Sequence, residues 1–216
     1  MRWHELGDLP FADALTPHPG PLAPDSEYDC AHFDQLTCDG PDAGGSRFLE
    51  CAFTRVSVQD GRLRRAQFTE VWLQDVRLVA TSLAETSWMG VTFAGGLAAG
   101  VEAFGSRLRR VVLRGCKLDS VNFRDADLAD VVFDGCVLKD VDFAGAALTR
   151  TSFPGCWLRG TDFSRVRLDH MDLRGAAELS IVIEPRALHG AIVTGAQLQE
   201  LAPLLAASLG ITVKDS

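Results

Sequence analysis

Cysteine, histidine and aspartate are the residues of this sequence that could bind a metal or act as acid, base or nucleophile. The five histidines are dispersed, and none stands at a zinc-site spacing from a cysteine. Cys30 and Cys38, with His32 between them, come nearest to a metal cluster, but the two thiols are eight residues apart. No nucleophile has a partner base at a motif spacing, and no phosphate loop is present. The sequence therefore predicts no catalytic residue, no metal site and no cofactor.

The cysteines instead belong to an internal repeat. Cys116, Cys136 and Cys156 are 20 residues apart, and every fifth residue from Phe48 to Leu173 is apolar. The residue two positions before each of these apolar centres is never charged. A pattern that persists over this length is not chance, so the repeat governs the fold.

The period of five dictates a chain that bends at regular intervals. In extended backbone, residues two apart point to the same side, so the small residue and the following centre face inward and the residue between them faces outward. The next inward residue comes three positions later, which requires a corner. Glycine often fills the last slot of the repeat, where a positive φ is tolerated. Where that slot holds Asp, Arg or Glu, we expect a second type of corner.

Four corners make one circuit. Leu and Phe alternate strictly as centres from Leu118 to Leu168, so four walls give pure Phe columns on two opposite walls and pure Leu columns on the others. The three cysteines spaced by 20 then share one column. Successive circuits stack at about 4.8 Å, which is too far for a disulfide whose Cβ atoms want about 3.8 Å. We therefore expect reduced thiols in the core.

Several segments resemble the pentapeptide repeat family, notably VNFRD (121–125), ADLAD (126–130), VDFAG (141–145), TDFSR (161–165) and MDLRG (171–175). The resemblance implies an all-β solenoid, a right-handed quadrilateral parallel β-helix, with no catalytic activity. We divide the chain into an acidic, proline-rich extension (1–30), the β-helix (31–193) and a C-terminal helix with its tail (194–216).

The C-terminal region changes to a helical pattern. Thr194 and Gln197 form a capping box, Gly210 is a stop signal, and Pro203 predicts a kink or a break. An apolar stripe is formed by Leu198, Leu201, Leu205 and Leu209. We expect this helix to cap the open end of the solenoid. Related C-terminal elements in the family dimerise, which predicts a homodimer through this region.

Charge and composition locate the acidity in one place. The 216 residues carry a net charge of −8, with 47% hydrophobic and 23% charged residues. Residues 1–45 contain nine acidic residues and one basic residue, Arg2. Residues 46–216 therefore carry equal numbers of acidic and basic residues. No apolar run is long enough to cross a bilayer, and the N-terminus lacks the apolar core of a signal peptide. We expect a cytoplasmic protein that does not bind membranes.

Outward slots that hold large apolar residues are the candidate partner site. Trp72, Val112 and Val132 share one wall, Leu97, Val137 and Trp157 share the next, and Phe104 lies at a corner. These residues either bind a partner or form a seam covered by the N-terminal segment. We favour the seam, because that segment offers Trp3, Leu6, Leu9, Phe11, Leu15 and Leu22.

The small centres Ala98 and Ala103 interrupt the run of large ones. They predict either a narrow or bent coil that serves as a hinge or loop, or a packing defect filled by Leu97 and Phe104.

The best-known activity of the family is to bind DNA gyrase or topoisomerase IV as a mimic of duplex DNA and to protect it from quinolones. A good mimic needs a dense acidic face, but no wall is strongly acidic, so mimicry would require a local cluster. The candidates are Asp127, Asp130, Asp134 and Asp142. A noncatalytic scaffold for an unrelated protein is the alternative. Direct nucleic-acid binding through Arg107, Arg109, Arg110 and Arg114 is opposed by the acidic N-terminal residues.

Overall fold

The computed structural model describes residues 5–184 and 188–214, and in it the chain winds as a four-sided parallel β-helix. Strands from successive circuits pair in parallel with a 20-residue register, as in Leu108 opposite Leu128 and Leu128 opposite Leu148. Most strands are three residues long and alternate between exposed and buried positions. The predicted solenoid is confirmed.

The first two walls share one 13-stranded sheet. Strands on the first wall are Glu27–Asp29, Arg47–Leu49, Gln67–Thr69, Ser87–Met89, the first half of Arg107–Arg114, the first half of Asp127–Asp134, Ala147–Thr149 and Arg167–Asp169. Strands on the second wall are Thr16–Pro17, Ala31–Asp34, Ala52–Thr54, Trp72–Gln74, Thr92–Ala94 and the second halves of the two long strands. A short pair, Met171–Asp172 with Ala191–Ile192, extends this wall at its C-terminal end. Thr16–Pro17 and Glu27–Asp29 thus belong to the ladder, although both strands precede residue 31.

The third wall is an eight-stranded sheet. Its strands are Thr37–Asp39, Ser57–Gln59, Arg77–Val79, Leu97–Ala99, Lys117–Asp119, Val137–Lys139, Trp157–Asp162 and Glu178–Val182. The last two strands are irregular in register, because Leu158 pairs with Leu179, 21 residues later in the sequence instead of 20. The fourth wall is held by single-residue bridges that join Asp42, Arg62, Ser82, Glu102, Asn122, Asp142 and Asp162 in order.

The corners depend on left-handed backbone whether or not glycine is present. The last slot of the repeat has positive φ at Gly115 and Gly135, but also at Arg110, Asp130 and Asp125, with values between 54° and 60°. The corners do differ, because the fourth wall adds a turn hydrogen bond, as from the Ala146 amide to the Phe143 carbonyl at 2.9 Å. The expectation that non-glycine slots would adopt another conformation was wrong. Ladder hydrogen bonds from these corner amides to the next coil hold the strained residues in place.

The core consists of stacked side chains in columns. Phe143 lies between Phe123 and Phe163, with ring centroids 5.2 Å from each and interplanar angles of 7° and 2°. Phe133 and Phe153 stack in the same way on the opposite wall at 5.0 Å. The predicted Phe columns are therefore confirmed. Edge-to-face contacts between the two columns close the interior.

The coil around Ala98 and Ala103 stays in register with its neighbours, so it is neither a hinge nor a loop. The small centres leave an apolar cavity of about 40 Å³ between them. Leu97 and Phe104 lie on the outside and do not fill it. The Phe93 ring instead occupies the space next to Gly96, where a Cβ atom would come within 1.8 Å of that ring.

Each end of the core is covered by a different element. At the N-terminal end, Leu22 is buried against the core and the His18 ring packs on Tyr28 and Phe33. At the C-terminal end, a helix spans Gly195–Ser208. Its capping box is confirmed, since the Gln197 amide donates to the Thr194 hydroxyl at 3.1 Å and the Thr194 amide donates to the Gln197 side chain at 2.9 Å.

The helix does not present its four leucines as one stripe. Leu201 is buried and Leu205 is half-buried, whereas Leu198 and Leu209 are 50% and 76% exposed. The helix residue that packs against the core is Leu204. The Gln197 side chain anchors the helix by donating to the Leu173 carbonyl at 2.7 Å. Pro203 lies within the helix without splitting it, and Gly210 ends it with a φ of 71°.

The Phe143→Ala substitution should lower the free energy of unfolding by about 3–5 kcal/mol, because it opens a cavity between two stacked rings. Urea denaturation followed by circular dichroism measures this. The half-buried corner residue Phe104 is the control, and Phe104→Ala should cost only about 0.5 kcal/mol. Equal losses for the two variants would contradict the column packing.

Candidate partner-binding surface

The four predicted acidic candidates are all engaged by arginines. Asp127 pairs with Arg109, Asp130 with Arg150, Asp134 with Arg114 and Asp142 with Arg124. Most of these pairs join adjacent coils, since the partners are 18 or 20 residues apart. The four carboxylates therefore do not form an uncompensated acidic cluster.

The ion pair between Asp130 and Arg150 contains two hydrogen bonds. The two carboxylate oxygens of Asp130 accept from Nε and Nη2 of Arg150 at 2.6 and 2.8 Å. This hydrogen bonding lowers the pKa of Asp130 from its ordinary value. Asp142 has a second structural role, because its Oδ1 accepts from the Ala144 amide at 2.8 Å and so supports the corner. Asp162 and Asp172 make the same corner hydrogen bond.

An acidic column lies on the fourth wall, where sequence reasoning did not place one. Glu102, Asn122, Asp142 and Asp162 occupy the same outward slot in four successive coils and are joined by parallel bridges. Within residues 5–184 and 188–214, Glu102 and Asp162 have no ion-pair partner within 4 Å. The signal was present in the sequence as outward slots 20 residues apart. It was missed because acidic and basic residues were counted over each whole wall, and such totals do not show a local column.

The N-terminal segment covers part of the second wall. Leu9 and Phe11 pack on Ala52 and Trp72 to form a small core outside the solenoid, and Trp72 is only 1% exposed. Leu6 and Leu15 complete this contact. Trp72 is therefore a residue of the seam and cannot bind a partner directly, which corrects its place among the candidates. Trp3, which was expected to join the seam, lies outside the described residues.

The apolar residues of the third wall remain accessible. The outward side chains of Leu97 and Val137 are half-buried, and Trp157 is 41% exposed. Val137 lies directly beside Trp157 in the sheet, while Lys117 separates Leu97 from Val137. These three residues form the third-wall patch. Phe104 lies apart from the patch at the fourth-wall corner, where the Arg64 guanidinium sits 5.8 Å from its ring centroid.

Three of the four arginines in the predicted nucleic-acid-binding cluster form ion pairs. Arg109 pairs with Asp127, Arg110 with Glu70 at 3.3 Å, and Arg114 with Asp134 at 3.3 Å. The pairing leaves little basic surface for a phosphate backbone, which needs several free cations.

The residues considered for metal binding at the N-terminal end do not converge. His32 shares a hydrogen bond with Thr54 at 2.9 Å, and the Cys30 thiol lies beside the Asp29 and Glu50 carboxylates. Burial is the main cause that raises the pKa of both Cys30 and Cys38, which disfavours the thiolate that a metal needs. Among the described residues no group of three or more His, Cys, Asp or Glu side chains could hold a metal ion. No helix in the same part of the chain could span a membrane.

The chain is similar to known proteins in sequence over one region and in fold over most of its length. The family model for a pentapeptide repeat region matches residues 106–177. A trypsin-treated form of QnrB1, a plasmid-mediated fluoroquinolone resistance protein, superposes with a TM-score of 0.51 at 18% identity, covering 85% of this chain and 100% of that one. Full-length QnrB1 gives a TM-score of 0.39 at 14% identity, covering 81% and 99%. Comparison with curated protein sequences gives no significant match.

The Phe11→Ser substitution should release the N-terminal segment from the second wall, because it removes the buried ring that packs on Trp72. The Thr16 and His18 amides, which donate to the Cys30 and His32 carbonyls at 2.8 and 2.9 Å, should then lose hydrogen-exchange protection. Mass spectrometry of peptides covering residues 12–20 measures this. Leu49→Ser, an exposed change on the first wall, is the control and should have no effect. Unchanged protection in Phe11→Ser would show that the seam does not hold the segment.

Proposed function

Because this chain is a pentapeptide repeat protein, we propose that it is a noncatalytic binding protein that occupies the DNA site of a bacterial type II topoisomerase, DNA gyrase or topoisomerase IV. By doing so it would protect the enzyme from quinolone-type poisons. Gyrase acts on chromosomal DNA, so the proposal places the protein in the cytoplasm. The observation that supports it is the uninterrupted shaft, whose fold is shared over 85% of this chain with a fluoroquinolone resistance protein.

The dimensions of the shaft suit a duplex mimic. Eight strands stack on the first wall from Tyr28 to Leu168, and seven steps of about 4.8 Å give a length of about 34 Å. At 3.4 Å per base pair, this corresponds to about 10 base pairs of duplex. The coils remain in register along the shaft, so its surface is rigid enough to be preorganised for a partner.

The fourth-wall acidic column is the face that we assign to the topoisomerase. Its outward groups repeat once per coil at about 4.8 Å, and its three carboxylates are interrupted by the neutral Asn122. One DNA strand carries one phosphate per about 3.4 Å of helix axis. The carboxylates of Glu102 and Asp162 are the members without an ion-pair partner in the described chain. Asp127, Asp130 and Asp134 are each paired with an arginine, and so is Asp142 within the column, so these four carboxylates attract a basic partner less strongly.

The double variant Glu102→Lys, Asp162→Lys should weaken the effect on gyrase, because it reverses two charges of the column. Supercoiling by purified gyrase is measured with and without a quinolone while the protein is titrated. Wild-type protein should inhibit or protect at micromolar concentration, and the variant should need roughly tenfold more protein. The control Asp39→Lys, Asp60→Lys changes the net charge equally on the third wall and its edge and should behave as wild type. Neither inhibition nor protection by wild-type protein would refute the topoisomerase role.

The third-wall patch favours the second candidate function, a scaffold for an unrelated protein. Exposed tryptophan beside valine on a flat sheet is a frequent anchor of protein interfaces. The same supercoiling assay distinguishes the two functions. An effect of wild-type protein on gyrase that Trp157→Ser retains assigns gyrase binding to the acidic column, whereas no effect of wild-type protein leaves the third-wall patch as the site for an unrelated partner.

We also propose that two chains associate through the C-terminal helix. Exposed fractions of 50–76% are found at this end for Leu198, Leu209, Ile211 and Val213, although Leu201 is buried and Leu204 packs against the core. Light scattering after size exclusion should give a dimer for wild type and a monomer for Leu198→Ser, Leu209→Ser. The control Leu49→Ser, Met89→Ser removes exposed apolar residues from the first wall and should remain dimeric. A monomeric wild-type protein would contradict this proposal.

A further inference from the structure

Three thiols form a continuous column inside the shaft. Cys116, Cys136 and Cys156 occupy the first inward slot of the third wall in successive coils, are at most 1% exposed, and are free. The edge just outside them carries Gly115, Gly135 and Gly155. A Cβ atom at Gly115 or Gly135 would meet nothing within 4 Å, so these two corner positions face open space.

The three side chains are copies of one another, displaced by one coil. The Cys116 thiol donates to the Phe93 carbonyl at 3.1 Å. The Cys136 thiol donates to the Leu113 carbonyl at 3.3 Å, and the Cys156 thiol to the Phe133 carbonyl at 3.1 Å. These acceptors are themselves 20 residues apart. Neighbouring sulfur atoms are therefore separated by the coil spacing, about 4.8 Å.

The distance between neighbouring sulfur atoms decides whether two thiols can form a disulfide or bind a metal ion. A disulfide needs about 2.05 Å between its sulfurs, so the stacked coils prevent one. A metal ion bonded linearly to two thiolates, with metal–sulfur bonds of about 2.3 Å as for zinc, places the sulfurs about 4.6 Å apart. Zinc itself needs four ligands, and no such group exists among the described residues. The spacing fits a soft ion that accepts two ligands.

We propose that this column binds one soft, two-coordinate metal ion of the mercuric, silver or cuprous class between Cys136 and one of its two neighbours. Two thiols release their protons to solvent and two sulfur–metal bonds form, without oxidation or reduction. With Hg²⁺ the product is electrically neutral, which suits an apolar interior.

Backbone groups already support sulfur charge in this column. The Cys116 amide donates to the Cys136 sulfur at 3.4 Å, and the Cys136 amide donates to the Cys156 sulfur at 3.3 Å. Such N–H groups stabilise a thiolate once the ion has displaced the proton. Before the ion binds, each thiol donates its proton to a backbone carbonyl, so binding must release about two protons per ion.

Cys136 is a ligand in both possible pairs, with Cys116 or with Cys156, so its removal should have a larger effect than the removal of either neighbour. Cys30→Ser, Cys38→Ser, Cys51→Ala provides a background in which the column holds the remaining thiols. HgCl₂ is titrated into this folded protein, and the ultraviolet sulfur-to-mercury charge-transfer band and the released protons are recorded. We expect one ion per chain. Adding Cys116→Ala or Cys156→Ala should leave one adjacent pair and retain the site.

Adding Cys136→Ala leaves two thiols two coils apart, about 9.6 Å, and should weaken binding at least 100-fold because the second ligand is lost. Thermal unfolding of each metal-free variant verifies that it is folded. X-ray absorption on the mercury form should show two sulfur neighbours at about 2.3 Å. Equal affinity in the Cys136→Ala and Cys116→Ala variants would overturn the proposal. Binding that proceeds only with loss of the β-sheet circular dichroism signal would overturn it equally.

Discussion

The structure depends on the hydrogen-bonded ladder that joins each coil to the next in a 20-residue register. Corner residues from Asp25 to His170 adopt a left-handed conformation, even where they are Arg or Asp, and in it the amide donates to the next coil, as Asp125 does to the Ala144 carbonyl. A strained residue at nearly every corner costs of the order of 1–3 kcal/mol. The repetition of the ladder and of stacked apolar columns offsets this strain. Consequently, side chains at equivalent positions become vertical rows.

These rows explain both the interior and the surface. Inside, phenylalanines stack face to face in the C-terminal half, while Ala98 and Ala103 leave a cavity where no large centre is available. Outside, arginines and carboxylates one coil apart meet and neutralise each other. The acidic feature on the fourth wall is a row and not a patch, because its outward residues occupy the same slot in successive coils.

The sequence predicted the repeat and its consequences well. The alternation of Leu and Phe was sufficient to assign four walls, and the Cys116 spacing was sufficient to expect buried, reduced thiols. The ion pairs were not predicted, because they depend on long side chains reaching across coils, as Arg110 does to Glu70 over 40 residues. The burial of Trp72 was favoured but not determined, since a proline-rich segment has no period that fixes where it lies. The left-handed arginines and aspartates were missed because local propensity disfavours them and only the ladder imposes them.

The proposed topoisomerase role requires that the partner touch the acidic row and not the apolar third wall. A photo-crosslinking amino acid introduced in place of Glu102 or of Trp157, followed by mass spectrometry of the products formed with purified gyrase, tests this contact directly. The account predicts crosslinks to the DNA-binding surface of gyrase from position 102 and few from position 157. Crosslinks only from position 157, or none from either, would contradict it.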